Sequence, residues 1–168
     1  MSTHRRDFLL GASALAIGAS ALALFRAPGV AAGEMFEVTK TDAEWKALLK
    51  PDAYAVLRQA STEYPNTSKL LNEHRKGTFA CAGCDLALFD DTLKFDSGTG
   101  WPSFFDHLKD AVATRVDKEL LTERTEVHCR RCGGHLGHVF DDGPKPTGLR
   151  YCINGVALQF HPADGSGA

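Results

Sequence analysis

The spacing of apolar positions changes character once along the chain, near Gly77. Upstream it is helical. Thr41-Asp42-Ala43-Glu44 is a capping-box pattern, followed by Trp45, Leu48 and Leu49 at helical spacing and stopped by Pro51. A second short helix is predicted over 52–59, with Tyr54, Val56 and Leu57 apolar, and the segment 62–68, with Pro65 and Asn66, breaks it. Downstream, apolar or alternating runs are short and separated by Gly, Asp or Pro, at 78–80, 86–89, 111–116, 125–127, 136–140, 149–153 and 156–160. These are strand signals. They predict a mainly β fold, two antiparallel sheets curled tent-like around one core, with the short N-terminal helices packed outside. No internal repeat is present, and the tail over 162–168 is expected to be disordered.

Residues 1–32 do not belong to this pattern. Arg5-Arg6 precede an uncharged stretch over 8–25, then Arg26, then Val30-Ala31-Ala32, a small-residue site suited to a signal peptidase. The order Thr3-His4-Arg5-Arg6-Asp7-Phe8-Leu9-Leu10 resembles a bacterial twin-arginine signal, which implies export to the periplasm; the alternative is an uncleaved, membrane-tethering anchor. The expected organisation is a signal at 1–32, a helical segment at 33–61 and one domain at 62–161.

Composition agrees with a single domain, since 168 residues at 43% hydrophobic and 24% charged bury one core. Nineteen basic against 21 acidic side chains give a formal charge of -2, with no dense basic run, which argues against a nucleic-acid partner. Cleavage after Ala32 removes three Arg and one Asp and leaves the remainder mildly acidic.

The five cysteines carry the chemistry. Cys81-Ala82-Gly83-Cys84 and Cys129-Arg130-Arg131-Cys132 are two C-x-x-C turns, each following a predicted strand, with Gly83 and Gly133 supplying backbone freedom. Four thiolates at this spacing suit one tetrahedral zinc ion with no open position, hence a structural site; the alternative is a pair of redox dithiols or disulfides. The gap between the turns implies that the metal joins distant parts of the domain. Cys152 is left over. Alternation puts Arg150, Cys152 and Asn154 on one face, where a guanidinium is expected to favour the thiolate; a small buried hydrophobe is the other reading.

His135-Leu136-Gly137-His138 is read as extended, and together with Asp142 it offers acid–base groups beside an unclaimed cysteine. A Cys–His pair admits nucleophilic hydrolysis or sulfur redox chemistry. Phe95-Asp96-Ser97-Gly98-Thr99-Gly100-Trp101-Pro102-Ser103-Phe104 supplies a flexible loop and aromatic rings whose composition alone favours core packing.

Taken with Cys81-x-x-Cys84, Thr125-Glu126-Val127 before Cys129-x-x-Cys132, His135-Leu136-Gly137-His138-Val139-Phe140 and Gly148-Leu149-Arg150-Tyr151-Cys152-Ile153-Asn154, that loop resembles the B-type peptide methionine sulfoxide reductases over 62–160. The resemblance implies thiol-dependent reduction of the R epimer of methionine sulfoxide in oxidised proteins or peptides. Cys152 would be the nucleophile, passing through a sulfenic acid. His135, His138 and Asn154 would bind and protonate the oxygen, Arg150 and Asp142 would shape the charge at sulfur, and Trp101 would hold the S-methyl group. It also implies one structural zinc on Cys81, Cys84, Cys129 and Cys132. Many members carry a resolving cysteine where this chain has Thr99, so the expectation here is a one-cysteine enzyme, a monomer, reduced directly by a thioredoxin-like or other thiol donor. Competing readings are a non-catalytic zinc-ribbon module and a cysteine hydrolase.

Overall fold

The computed structural model describes residues 34–118 and 123–165; the expected signal at 1–32 lies outside them. Helix α1, Asp42–Leu48, starts on the predicted box. The Thr41 hydroxyl accepts the Glu44 N–H, and the Glu44 carboxylate accepts the Thr41 N–H at 2.7 Å. Pro51 does more than end this helix. It is the first residue of α2, Pro51–Gln59, where its missing N–H has no intrahelical partner to lose. Trp45, Ala53, Tyr54, Val56 and Leu57 form the buried face of the pair.

Nine strands follow: β1 Gly77–Cys81, β2 Ala87–Asp90, β3 Lys94–Phe95, β4 Ser103–Phe104, β5 Val112–Asp117, β6 Arg124–Cys129, β7 His135–Phe140, β8 Arg150–Ile153 and β9 Leu158–Pro162. They make two sheets, β2-β1-β9 and β3-β4-β8-β7-β6-β5, with every pairing antiparallel. Fully buried Phe79, Phe89, Phe104, Leu136 and Ile153 fill the core. Phe89 of the small sheet stacks on Phe104 of the large one with ring centroids 4.2 Å apart, so aromatic area is buried between the sheets.

Seven of these strands fall on the predicted segments. The other two, β3 and β4, have only two residues each, too short to carry a period. The last predicted strand is displaced: Gly155–Ala157 form a 3-10 turn, and β9 runs on through Pro162. Bonded chain therefore continues into the segment expected to be the tail. The Ala163 N–H donates to Lys76 O at 2.9 Å and the Gly165 N–H to Pro162 O at 3.2 Å, while 166–168 lie outside the described residues.

Candidate active site and metal centre

Cys81 ends β1 in the small sheet and Cys129 ends β6 in the large one, so the two C-x-x-C turns meet where the sheets adjoin. All four sulfurs lie within 4.8 Å of one another, with Cys81 and Cys132 at 3.7 Å and Cys84 and Cys129 at 3.5 Å. Neither distance is a disulfide, which is about 2.05 Å. Both fit the edges of a sulfur tetrahedron around zinc, about 3.8 Å for Zn–S bonds of about 2.3 Å. So crowded, the four thiols cannot titrate alike: the sulfur of Cys129 holds the Cys81 proton on, and that of Cys132 draws the Cys129 proton off. A divalent cation at the centre relieves that crowding. The four cysteines form a cluster able to bind a metal ion, and their donor chemistry fits zinc.

The turns copy each other. In each, the residue after the second cysteine donates its N–H to the first cysteine's carbonyl, at 2.8 Å in both, and takes a left-handed conformation. In one turn that residue is Gly133, φ +67°; in the other it is Asp85, φ +58°, and not Gly83. The expected freedom at Gly83 is thus corrected. Asp85 is held there by its own carboxylate, which accepts from Gln159 and from His161.

The candidate catalytic residues form a row across the large sheet. Arg115 on β5 faces Glu126 on β6, Glu126 faces His138 on β7, His138 faces Cys152 on β8, and Cys152 faces Ser103 on β4. Directly opposed antiparallel residues share a face, so this register places the imidazole bearer and a hydroxyl on either side of the sulfur. Tyr151 and Ile153 are buried beneath, and Cys152 itself is half-buried, not sealed in the core.

His135 and His138 are three apart on one strand, which in regular β structure points them to opposite faces. A bulge in the β6–β7 pairing corrects this. Val127 faces Gly137 but His128 faces His135, so Leu136 is the extra residue and the two imidazoles meet with centroids 5.4 Å apart. Each ring has a carboxylate behind it. His135 Nδ1 lies 2.8 Å from Glu126 Oε1, and His138 Nε2 lies 2.7 Å from Asp117 Oδ2. Arg115 pairs with Glu126 and Arg124 with Asp117, the latter at 2.6 Å. Burial pushes the Glu126 carboxyl up, but His135 and Arg115 outweigh it and hold it at about 2. With Glu126 ionised, His135 carries its proton on Nδ1, and its buried Nε2 has no hydrogen-bond partner among the described residues. Burial lowers the His138 pKa against the pull of Asp117. A cleft of about 250 Å³ runs along both rings, while a larger cavity of about 470 Å³, between the helices and the Gly155–Ala157 turn, is lined by none of these side chains.

Arg150 is on the Cys152 face as expected, yet it does not ionise the sulfur. Its guanidinium is paired to Asp142 through two bonds of 2.8 Å and lies over Phe140, 4.4 Å from the ring centre. Burial pushes the Cys152 thiol up, and the Arg150 charge and a Thr99 hydroxyl hydrogen bond pull it down less than burial raises it. Asp142 adds to the rise. Thr99 Oγ1 continues through Ser97 Oγ at 2.8 Å to the buried Ser103 hydroxyl at 2.7 Å, a hydroxyl chain beside the sulfur.

Asn154 is tied into the fold on both sides. Its Oδ1 accepts the Glu63 N–H at 3.0 Å and its Nδ2 donates to Leu136 O at 2.9 Å, which fixes the orientation of this buried carboxamide while using one of its two N–H donors. The aromatic loop divides: Phe104 is core, whereas Trp101 is half-buried and ties its indole N–H to Glu63 O at 3.1 Å.

Asp117, Glu63 and Ser103 were not singled out from the sequence as site residues. Glu126 carried a signal, since a carboxylate amid the buried positions of a strand requires a partner. Asp117, at a strand end, carried none.

A SelR domain model matches residues 49–162, a span that includes all nine strands and all of α2. The peptide methionine sulfoxide reductase MsrB of Leptospira interrogans is 51% identical over 126 residues, covering 74% of this chain and 96% of that protein. The MsrB of Thiobacillus denitrificans is 52% identical over 126 residues, with 74% and 96% covered, and that of Pseudomonas putida 53% over 134 residues, with 79% and 100% covered. With this identity over nearly the full length of those proteins, the chain belongs to the SelR-domain family of MsrB peptide methionine sulfoxide reductases, oxidoreductases that reduce methionine sulfoxide in oxidised proteins.

Proposed function

We propose that Cys152 is the nucleophile and that the enzyme takes the R epimer. The observation that carries this reading is the register that sets Cys152 between His138 and Ser103, apart from the four clustered sulfurs. A chiral sulfoxide is read by three unlike contacts: Cys152 at sulfur, the Trp101 ring for the S-methyl group and the His135–His138 pair for oxygen. The choice of hand comes from the family resemblance.

Cys152 rests as a thiol, and the proton it holds is the one the sulfoxide oxygen must gain. As the S–S contact forms and the sulfur–oxygen bond breaks, the imidazoles pass that proton, and oxygen leaves on Cys152: a thiol and a sulfoxide become a sulfenic acid and a thioether. Arg150 steadies the developing thiolate, and Asp142 orients Arg150. One external thiol then displaces water from the sulfenic acid, and a second releases Cys152 as the external disulfide forms. Thr99 replaces a resolving sulfur, so a thioredoxin-like or other thiol donor acts directly on Cys152. Cys81, Cys84, Cys129 and Cys132 would hold a zinc ion with a structural role, tying the small sheet to the large one and taking no part in the reaction.

The protein works as a monomer in the periplasm, delivered by the twin-arginine-like segment, and a tethered form is the alternative. A dithiothreitol-driven assay with separate R and S methionine sulfoxide peptides, together with metal analysis, tests this reading. Turnover of the R peptide alone with one zinc per chain is expected; turnover of the S peptide, or product without reductant consumed, contradicts it.

A further inference from the structure

We infer that Glu63 is a positioning residue that sets substrate affinity by holding Trp101 in register with the turn that follows Cys152. The inference rests on the proposed role of Trp101 as the wall for the sulfoxide methyl. Glu63 belongs to none of the catalytic strands, yet it reaches both sides of the site. Its carbonyl accepts the Trp101 indole N–H at 3.1 Å, and its own N–H donates to Asn154 Oδ1 at 3.0 Å. Its carboxylate accepts the Gly155 N–H at 2.5 Å and the Val156 N–H at 3.3 Å, the start of the 3-10 turn three residues beyond Cys152. Three polar groups of one residue thus link the wall, the Asn154 carboxamide and the chain leaving the nucleophile.

A second contact fixes the same pair of segments. The Asn66 N–H donates to Gly100 O at 2.8 Å, and a Cβ added at Gly100, φ +90°, would lie 2.9 Å from Pro65 Cβ and 3.0 Å from Asn66 N. The segment 63–66 is packed flush on the loop that carries Trp101, with no room for a side chain between them. Without this support the indole stands on a loop whose glycines, Gly98 and Gly100, both have positive φ and leave it free to swing. The carboxylate anchors the segment to the turn; the backbone carbonyl, which mutation does not remove, then has a fixed place from which to hold the ring. Burial raises the Glu63 pKa while the two backbone N–H groups oppose it, in keeping with a carboxylate turned into the fold.

Glu63→Ala is expected to raise KM for the R-sulfoxide peptide by about tenfold, with a smaller change in kcat. Glu63→Gln, which keeps an acceptor for Gly155, should recover most of that loss. In a Trp45→Phe background Trp101 is the sole tryptophan, so acrylamide quenching of its emission reports on the ring directly, and Glu63→Ala should increase it. In a Trp101→Ala background Glu63→Ala should add no further rise in KM. If Glu63→Ala lowers only Tm, with KM and quenching unchanged well below the transition, Glu63 is merely structural and the inference fails. If Trp101→Ala itself leaves KM unchanged, the wall assignment falls and the link from Glu63 to affinity falls with it; quenching still decides whether Glu63 holds the indole.

Discussion

Where the two sheets adjoin, four sulfurs converge from turns that share hydrogen bonds and backbone conformation, each sulfur at 3.5 or 3.7 Å from a sulfur of the other turn. In the middle of the large sheet a fifth sulfur stands between an imidazole-bearing strand and a buried hydroxyl. The same atom is put to opposite uses by what surrounds it. In the cluster every sulfur has sulfur neighbours, and one cation satisfies all of them at once. At Cys152 the neighbours are Thr99 and Arg150, with His138 opposite it on the next strand, and no second sulfur is among them. On the proposed reading, isolation from other sulfurs is what distinguishes Cys152, since burial pushes its thiol up instead of down.

The sharpest way to break this contrast is to remove one sulfur from each region. Cys152→Ser should reduce turnover by at least about three orders of magnitude while metal content stays at wild-type level; loss of metal in parallel would merge the two regions. Cys129→Ser should do the reverse, releasing the metal and, because structural zinc contributes about 10–16 kcal/mol of binding energy to folding, unfolding much of the domain by circular dichroism. Retained metal with an unchanged melting curve would remove the cluster's structural role. His138→Ala, assayed in single turnover, should slow sulfenic acid formation by about a hundredfold without altering metal content.

Smaller effects sharpen the picture at Cys152. Arg150→Met should push the thiol further up and Asp142→Asn should bring it down, read as opposite displacements of the pH profile for iodoacetamide alkylation of Cys152. Displacement in one direction for both would show that the ion pair acts as a scaffold and not through its charges. At Glu126, His135 and Arg115 depress the carboxyl from 4.5 to about 2, so its contribution to stability is present above about pH 4.5 and is lost as pH falls toward 2. Glu126→Gln should flatten that acid limb of the Tm profile; an unchanged slope would assign the acid loss to other carboxylates.

The two regions also differed in how far the sequence exposed them. The metal cluster was legible because each half is a local turn, and two cysteines two positions apart already aim at one point. The helix start at Thr41 and seven strands were legible for the same local reason. The reactive site is assembled by register. Ser103 meets Cys152 through a two-residue strand with no period, and His135 joins His138 only through a bulge at Leu136 that spacing does not announce. Asp117 reaches His138 from two strands away, and Glu63 arrives from the segment after α2. Trp45 is core, as its helical spacing indicated, whereas Trp101, whose loop composition favoured core packing, is half-buried.

The most direct measurement is a single exposure of the reduced, metal-loaded protein to excess R-methionine sulfoxide peptide with no reductant, followed by dimedone labelling and peptide mass spectrometry. One methionine formed per chain, a dimedone adduct on Cys152 and an intact metal content are predicted. A disulfide joining Cys152 to any of Cys81, Cys84, Cys129 or Cys132, or methionine formed with Cys152 unmodified, would contradict the account.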